Sequence, residues 1–324
     1  MKVVIPVAGI GTRLRPHTHS QPKPLLHVAG RTIIDHILES IVKLKPDEVI
    51  FVVGFMGDEI EAHIRANYSF SCRFVAQDNL LGLGYALNLA LADIDAGRLL
   101  VVLGDTIVDA DLNAFVSAGP YVLGLRQVDD PGRFGIAEIK DGRIVGLEEK
   151  PDRPKSNLAV IGLYYFEDLR TIKAALSQHI QSGKTTKGEI QLTDALEIMI
   201  RQGTSFVPFE VRGWYDCGKR ETLLETNRHL LEMMKPATAP AGCTIHPPVF
   251  VAESARISNS TLGPHVSVAG GASITSAVIS NSIIGDDATV EDCRLTDSLI
   301  GRRAVVKGAR GVLNIGDDSE IRQG

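Results

Sequence analysis

The chain has 324 residues, of which 44% are hydrophobic and 23% are charged, and its formal net charge at pH 7 is −5. These values describe an ordinary globular protein that is long enough for about two domains. The negative charge argues against a general nucleic-acid-binding protein. No apolar run approaches the roughly 20 residues that a membrane helix needs, and the N-terminus shows no signal-peptide pattern.

The cysteines are scattered along the chain, with no C-x-x-C spacing among Cys72, Cys217, Cys243 and Cys293. This spacing disfavours both a zinc site and a disulfide framework, and it fits a reducing compartment. We therefore expect a cytoplasmic protein with no membrane segment and no nucleic-acid partner.

The first part of the chain alternates strand-like and helix-like segments. Short apolar runs predict strands at Val3–Ile5, Val49–Val53, Arg73–Val75 and Leu99–Leu103. Helical periodicity predicts helices at Thr32–Leu44, Asp58–Asn67 and Gly84–Ala92. This alternation predicts an α/β fold with a Rossmann-like, mainly parallel sheet and helices on both faces. Ligands in such sheets bind at the carboxyl ends of the strands.

The pattern changes after Tyr121, where strand-like segments follow one another and predict a mixed insertion that covers the site. The predicted strands are Tyr121–Leu125, Gly135–Ile139, Ile144–Glu148 and Leu158–Phe166. Helices are expected next at Asp168–Gln178, Glu189–Arg201 and Lys219–Met234, with short strands at Ser205–Glu210 and near Trp214.

A proline-rich linker is predicted at 236–243, and a six-residue rhythm of branched apolar residues follows it. Ile284 and Ile300, like Val290 and Val306, occupy equivalent places in successive turns of this rhythm. Such a hexapeptide period is typical of a parallel β-helix, with a Val/Ile-rich sandwich as the alternative. The pattern resembles the left-handed hexapeptide β-helix, with about three to four coils. The expected domains are residues 1–235 and 244–324.

A glycine-rich loop over Val7–Pro16, closed by Pro22–Leu26, follows the first strand. Backbone N–H groups in such a turn can face an anion, and Arg13 and Lys23 add two cations. Leu14 replaces the third glycine of a dinucleotide fingerprint, and no Gly-Lys-Ser/Thr follows the glycines of this loop. A polyphosphate loop is therefore predicted, although the two glycines alone would also fit an ordinary strand-to-helix turn.

The loop resembles the signature of the sugar-1-phosphate nucleotidyltransferases, Gly-x-Gly-Thr-Arg-Leu-x-Pro followed by Pro-Lys-x-Leu-Leu. The resemblance extends over about residues 1–234, although Ala8 stands where many members have glycine. It implies that the following residues bind the nucleotide: Ala8, Gly9, Gly11, Thr12, Arg13 and Lys23. Gly9, Gly11 and Arg13 would hold the β- and γ-phosphates, and Lys23 would bridge the nucleotide phosphates.

Two aspartates stand where the family holds its metal. Asp105 follows a buried strand in Leu-Gly-Asp, and Asp216 precedes the long helix in Asp-Cys-Gly. Either aspartate alone could equally be a helix cap or a turn residue. Mg²⁺ on phosphates usually takes one or two carboxylates. The resemblance therefore implies that Asp105 and Asp216 hold Mg²⁺, and that Asp105 is catalytic together with Arg13 and Lys23.

The sugar phosphate and the base are assigned to separate segments. Glu149-Lys150-Pro151 could be a simple charged strand end, but the resemblance implies that Glu149 binds sugar hydroxyls and Lys150 binds the sugar phosphate. The same resemblance implies that Gly135, Val160 and Lys187 also belong to the sugar-phosphate site. Gln77 would hydrogen-bond the base, and the backbone of Gly82 would approach it.

The expected reaction joins an NTP and a hexose 1-phosphate to give an NDP-sugar and pyrophosphate. A glutamine is compatible with a pyrimidine, so glucose 1-phosphate with dTTP or UTP is the expected pair. The alternatives are mannose 1-phosphate with GTP, a non-catalytic regulatory or scaffold subunit, and a bifunctional enzyme whose β-helix transfers acetyl groups. We expect the β-helix to mediate a homo-oligomer instead.

Overall fold

A computed structural model describes residues 1–235 and 241–323 of the chain. The chain forms two compact units. One unit contains Met1–Gly9 and Ile37–Trp214, and the other contains Ile10–His36 and Tyr215–Gly324. The segment that carries most of the glycine-rich signature therefore belongs to the same unit as the C-terminal repeats. Residues 236–240 of the predicted linker lie outside the described residues, and the domain boundaries at 235 and 244 stay predictions.

The strands that precede the C-terminal repeats are labelled in chain order. A short hairpin, whose two strands His27–Val28 and Arg31–Thr32 have two residues each, is left unlabelled. They are β1 (Lys2–Pro6), β2 (Glu48–Val53), β3 (Cys72–Ala76), β4 (Leu99–Val102), β5 (Thr106–Asp109), β6 (Tyr121–Gln127), β7 (Gly135–Lys140), β8 (Arg143–Glu149), β9 (Leu158–Phe166), β10 (Val207–Glu210) and β11 (Gly213–Asp216). The helices are α1 (Ile33–Lys43), α2 (Gly57–Asn67), α3 (Leu83–Ala90), α4 (Leu112–Ser117), α5 (Leu169–Gln181), α6 (Leu192–Arg201) and α7 (Arg220–Glu232).

The first unit is built on one mixed sheet with the order β8-β7-β9-β4-β1-β2-β3, and β6 joins β9 to β10. Strand β1 runs parallel to β2 and β4, and β2 runs parallel to β3. Strand β9 runs antiparallel to β4 and β6, and the hairpin β7–β8 extends the sheet beyond it. The expected mainly parallel sheet is confirmed, and the segment after Tyr121 supplies its antiparallel part.

Both faces of the sheet are covered, as the unbroken apolar runs predict. Val4 and Ile5 point to opposite faces of β1, and both are completely buried. On the Val4 side the core includes Leu87 of α3, Leu176 of α5 and Leu196 of α6. The sheet is thus held from both sides, so the loops at the carboxyl ends of its strands start from a rigid base.

Two local expectations about helices were incomplete. The helix predicted at Glu189–Arg201 begins only at Leu192, because Ile190 is bonded as extended chain: its N–H donates to Leu81 O at 2.8 Å, and its carbonyl accepts from Gly84 at 2.9 Å. Helix α4 had not been expected. Its N-cap Asp111 accepts hydrogen bonds from the first helical amides, a cap signal that precedes a turn too short for clear periodicity.

The second unit contains the expected left-handed parallel β-helix, made of three sheets with five parallel strands each. This exceeds the expected three to four coils. The first sheet contains Thr244–Ile245, Thr261–Leu262, Val278–Ser280, Arg294–Thr296 and Arg310–Gly311. The second contains Val249–Val251, Val266–Val268, Ser282–Ile284, Leu299–Ile300 and Asn314–Ile315. The third contains Arg256–Ser258, Ser273–Thr275, Thr289–Glu291, Val305–Lys307 and Glu320–Arg322.

The six-residue rhythm is explained by rows of inward-facing side chains that stack from coil to coil, here called the inward ladder. Ile274, Val290 and Val306 stack in register on the third sheet and are completely buried. Small residues such as Ala272 and Ala288 fill the positions beside them in the same core. One branched side chain per strand fills the narrow interior, which is why the repeat was visible in the sequence.

We predict that Ile274→Ala destabilises the β-helix by about 2–5 kcal/mol, because it leaves a cavity in a packed interior. Val278→Ala is the matched control, since Val278 is 41% exposed and its truncation should change the free energy of unfolding by less than about 0.5 kcal/mol. Urea unfolding followed by circular dichroism measures both. Equal losses in the two variants would contradict the inward ladder.

Candidate functional site

A cavity of about 260 Å³ opens at the carboxyl end of β1. It is lined by Pro6, Ala8, Gly9, Gln77, Leu80, Gly82, Leu83, Ala86 and Glu189. Four residues predicted to bind the nucleotide thus meet there, although they come from two segments about 70 residues apart. Parallel pairing accounts for the meeting, because β1 and the strands beside it end at the same edge of the sheet.

Gln77 and Gly82 are held in defined positions. Gln77 is 6% exposed, its backbone N–H donates to Val53 O at 2.8 Å, and its Nε2 donates to Asn79 O at 3.1 Å. Gly82 has φ +104°, in the region that favours glycine. A Cβ there would lie 2.7 Å from Ile190 O. The backbone of this loop therefore approaches the cavity closely, with Gln77 as its fixed amide.

Asp105 lies just beyond β4, beside the end of β1. The preceding residue, Gly104, donates its N–H to Pro6 O at 3.3 Å, and Leu103 donates to Gly162 O at 3.0 Å. The Asp105 carboxylate is half-buried and accepts a hydrogen bond from Thr106 Oγ1 at 3.2 Å. Its carboxylate is therefore placed at the same sheet edge as the turn at Gly9.

Glu149 forms the centre of the predicted sugar site. It pairs with Gly135 across the β7–β8 hairpin, and its carboxylate accepts a hydrogen bond from Thr193 Oγ1 at 2.6 Å. A Cβ on Gly135 would lie 2.8 Å from Thr193 Oγ1 and 3.0 Å from Glu149 Oε2. The Glu149 side chain is only 10% exposed, and its charge adds to burial in raising the pKa of Tyr164. Glu149 is thus a buried, oriented carboxylate.

The two lysines of the sugar-phosphate group are nearer the surface than Glu149, whereas Val160 is buried. Lys150 Nζ lies 3.5 Å from Glu149 Oε1 and its side chain is 39% exposed. Val160 is buried on β9, where the pairing with β6 shifts register after it. Lys187 is exposed and lies 3.4 Å from Asp152. The structure therefore brings Gly135, Glu149 and Lys150 together, whereas the ion pair on Lys187 is with Asp152.

The signature turn in the second unit is compact. Gly11 accepts a hydrogen bond from Thr18 Oγ1 at 2.8 Å, and Thr12 and Arg13 lie in a short 3₁₀ turn, Thr12–Leu14. Lys23 is only 6% exposed, and its Cβ lies 3.1 Å from the position that a Cβ on Gly11 would take. The glycine turn and the second cation are thus packed together.

Arg13 and Asp216 meet at Gly218, also within the second unit. A Cβ on Gly218 would lie 2.7 Å from Asp216 Oδ1 and 3.0 Å from Arg13 Nη2. The glycine of the Asp-Cys-Gly motif therefore leaves room for the carboxylate and the guanidinium together. The sequence had assigned these two groups to different ligands, the metal and the phosphates.

The donor set fits magnesium. Mg²⁺ prefers oxygen ligands and commonly takes only one or two carboxylates, with phosphate oxygens and water at its other positions. Asp105 and Asp216 supply such carboxylates, one from each unit, and their convergence on one ion stays a prediction. Within residues 1–235 and 241–323, no group of three or more His, Cys, Asp or Glu side chains could hold a metal. A two-carboxylate site needs no such group.

Sequence reasoning had given no role to two residues of these sites. Thr193 bonds the Glu149 carboxylate, and Glu189 lines the cavity at β1. Both lie in the segment Lys187–Asp194, which follows the family pattern but in which only Lys187 had been assigned to a ligand. Hydroxyl-to-carboxylate bonds join residues 44 positions apart here, so no local spacing could have revealed them.

The described helices contain no segment long and apolar enough to cross a membrane.

Comparisons with known proteins agree with the motifs. The family model described as nucleotidyl transferase matches residues 2–233. The chain is 30% identical over 361 aligned positions to the low-salt glycan biosynthesis nucleotidyltransferase Agl11 of Haloferax volcanii, covering 99% of this chain and 100% of that protein. It is 32% identical to a glucose-1-phosphate thymidylyltransferase of Streptomyces antibioticus, covering 92% of this chain and 85% of that protein.

A solved structure assigned as a glucose-1-phosphate thymidylyltransferase from Bacillus anthracis superposes with a TM-score of 0.63 at 29% identity. It covers 74% of this chain and 98% of its own. The family match over residues 2–233 and the full-length similarity to Agl11 show that this chain belongs to the nucleotidyl transferase family, as the signature loop had indicated.

Proposed function

We propose that this protein joins an NTP and a hexose 1-phosphate to give an NDP-sugar and pyrophosphate, with glucose 1-phosphate and dTTP or UTP as its substrates. The observation that carries the proposal is the cavity at β1, where Ala8, Gly9, Gln77 and Gly82 meet. The separate group formed by Gly135, Glu149 and Lys150 supplies polar and charged atoms for a phosphorylated sugar. Similarity to glucose-1-phosphate thymidylyltransferases supports the choice of substrates.

The chemistry requires no nucleophilic side chain. A phosphate monoester has a second pKa of roughly 6, so a sugar 1-phosphate is mostly dianionic at neutral pH. One of its oxygens attacks the α-phosphorus of the NTP, the new P–O bond forms, and the bond to the β-phosphate oxygen breaks. Pyrophosphate leaves with that electron pair. Because the nucleophile is already deprotonated, no general base has to remove a proton.

The obstacle to this reaction is the repulsion between two polyanions. Cations and backbone N–H groups that are positioned before the reaction offset this repulsion. Gly9, Gly11 and Arg13 hold the β- and γ-phosphates and stabilise the departing pyrophosphate. Lys23 bridges the nucleotide phosphates, and Lys150 holds the sugar phosphate. When bound to Asp105 and Asp216, Mg²⁺ supplies additional positive charge to the phosphates.

The sugar and the base are recognised by buried hydrogen-bonding groups. The Glu149 carboxylate, oriented by Thr193, accepts hydrogen bonds from sugar hydroxyls. Gln77 donates its Nε2 to Asn79, which leaves Oε1 as the atom that accepts from the base. N3–H of thymine or uracil is such a donor. Thymine and uracil differ only by a methyl group, so this contact accepts both.

The Mg²⁺ cofactor, the cytoplasmic location, and a homo-oligomer assembled through the β-helix belong to the same proposal. Lys187, on its exposed loop, and Val160, on β9, complete the sugar-phosphate side as the family pattern implies. Thr12 belongs to the phosphate-binding turn between Gly11 and Arg13.

The proposed reaction is tested by a pyrophosphate-release screen of the four NTPs and dTTP against glucose, mannose, galactose and N-acetylglucosamine 1-phosphates. We expect the highest kcat/KM for glucose 1-phosphate with dTTP or UTP. A clear preference for GTP with mannose 1-phosphate would replace these substrates within the same reaction class. No release with any pair would indicate a non-catalytic subunit.

We predict that Lys23→Ala and Asp105→Asn each lower kcat by about 10²–10³-fold, because each removes charge stabilisation from the phosphates or their metal. Lys43→Ala and Asp109→Asn are surface controls, since their ion pairs are partly or largely exposed. EDTA should abolish wild-type activity, and Mg²⁺ should restore it. Unchanged pyrophosphate release by folded Lys23→Ala and Asp105→Asn proteins would refute these assignments.

Glu149→Gln is expected to raise the KM for the sugar 1-phosphate by about 10-fold, because a charged hydrogen-bond acceptor for sugar hydroxyls is lost. The KM for the NTP should stay within about twofold of the wild-type value. Glu148→Gln is the matched control, because its side chain is exposed on the same strand. The assignment fails if both variants give the same sugar-phosphate KM.

A further inference from the structure

One row of the β-helix faces outward and is nevertheless largely covered. Phe250, Ser267, Ile283, Leu299 and Asn314 are in register across the five strands of the second sheet. The three central side chains are 3%, 6% and 3% exposed, in chain order. Outward positions of a β-helix normally face water, so this sheet has a partner within its own unit.

The partner at the C-terminal end of the sheet is the signature segment. His17 Nε2 lies 2.8 Å from Asn314 Oδ1, and Ser20 Oγ donates to Asp317 Oδ2 at 2.9 Å. Arg302 Nη2 donates to the backbone carbonyl of Ser20 at 2.9 Å. Two side chains of the β-helix therefore bind Ser20: Asp317 binds its hydroxyl group and Arg302 binds its backbone carbonyl.

Asp317 and Arg302 also bind each other. Arg302 Nε donates to Asp317 Oδ2 at 2.7 Å, and the backbone N–H of Arg302 donates to Oδ1 at 2.8 Å. The Asp317 side chain is only 4% exposed. A carboxylate this deeply buried needs fixed donors, and here the donors come from the β-helix and from Ser20. Burial lowers the pKa of His17, and its bond to Asn314 and the charge of Asp317 partly offset this.

The same segment continues along the sheet toward its first strand. His27 Nδ1 lies 3.6 Å from Asp286 Oδ2, and the backbone N–H of Ala29 donates to Asn227 Oδ1 at 2.8 Å. Asn227 is completely buried and also accepts from Ser267 Oγ at 2.6 Å. Residues 17–29 thus run along the β-helix from its last strand toward its second, which Ala29 reaches through Asn227 of α7.

The position of Ser20 in the signature links these contacts to the proposed phosphate site. Ser20 lies between Arg13 and Lys23, the two cations assigned to the nucleotide phosphates. Between them the chain forms only short 3₁₀ turns, Thr12–Leu14, His17–His19 and Lys23–Leu25. Such turns have few internal hydrogen bonds to hold them, so external contacts decide how rigid the segment is.

We propose that Asp317 and Arg302 of the β-helix are positioning residues for nucleotidyl transfer, which hold the signature segment at Ser20 so that Arg13 and Lys23 are ordered before the NTP binds. This inference rests on the proposed function. Ordering the segment during folding removes an entropic cost from NTP binding. Neither residue has to touch substrate, and the β-helix thereby gains a role in catalysis besides assembly.

The chain offers a matched control one residue away. Arg303 pairs with Asp318 through Nε at 2.6 Å, as Arg302 pairs with Asp317, but its Nη2 bonds Asp318 as well and not the signature segment. Both partners of this second pair are exposed, at 50% and 60%. Comparing Asp317→Ala with Asp318→Ala therefore removes the same kind of ion pair, once with and once without contact to the signature segment.

We expect Asp317→Ala to raise the KM for the NTP by about 10-fold or more, because misplaced binding groups lose much of their effect. The KM for the sugar 1-phosphate should change by less than about twofold, since Glu149 and its partners lie in the other unit. Asp318→Ala should match the wild type in both constants. A general loss of stability in Asp317→Ala would affect the KM values of both substrates alike.

Ser20→Ala tests the same contact from the signature side and leaves the β-helix pair intact. We expect the same direction of change in the NTP KM, about threefold, and no further change when it is added to Asp317→Ala, because the two removals share one interaction. If Asp317→Ala does not fold, Ser20→Ala decides the question. A wild-type NTP KM in folded Ser20→Ala would overturn the proposal.

Hydrogen exchange separates this inference from the proposed function, because it needs no activity. Amides of residues 10–26, and the Arg302 amide that donates to Asp317, should exchange faster in Asp317→Ala than in Asp318→Ala, with the remaining amides unchanged. Equal exchange in the two variants would overturn the positioning role even if the wild type is active. Faster exchange together with an inactive wild type would refute the proposed reaction and leave the ordering of the segment established.

Discussion

The parallel pairing of β1 with β2 and β4 is the interaction on which the candidate site depends. Together with the parallel pairing of β2 with β3, it places the ends of four neighbouring strands at one edge of the sheet, and the loops after β1, β3 and β4 carry Gly9, Gln77 and Asp105. Because the sheet is buried on both faces, its strands hold these loops without help from the ligand. A binding site preorganised in this way suits a reaction whose main obstacle is the repulsion between two polyanions.

The antiparallel part of the sheet carries the residues of the proposed sugar site. The β7–β8 hairpin places Gly135 opposite Glu149, and α6 supplies Thr193 to orient the carboxylate. Under the proposed function, the parallel strand ends would bind the nucleotide and the hairpin would bind the sugar. The separation lets each substrate be bound by its own set of residues, and it explains why substitutions on the two sides should affect different Michaelis constants.

The signature sequence is divided between the two units at Gly9. Its first residues end β1, whereas the residues from Ile10 onward pack with the β-helix. Asp317 is buried against the signature segment, whereas the neighbouring Asp318 is exposed. The inward rows of the β-helix build its core, and one outward row contacts the segment that contains Arg13 and Lys23, the two cations proposed to bind the phosphates. An appended repeat domain can therefore act on a loop more than 280 residues away.

The sequence by itself determined the family, the mainly parallel sheet and the β-helix, because the glycine loop, strand alternation and hexapeptide period are all local patterns. It also indicated the residues of the nucleotide and sugar sites, through motifs whose members lie near one another along the chain. The tertiary structure decided which of these residues meet, as at Glu149 and Thr193. It also showed that Ser20, Arg302 and Asp317 form one cluster. Long-range hydrogen bonds leave no periodic trace in a sequence, since they depend on which loops the fold brings together.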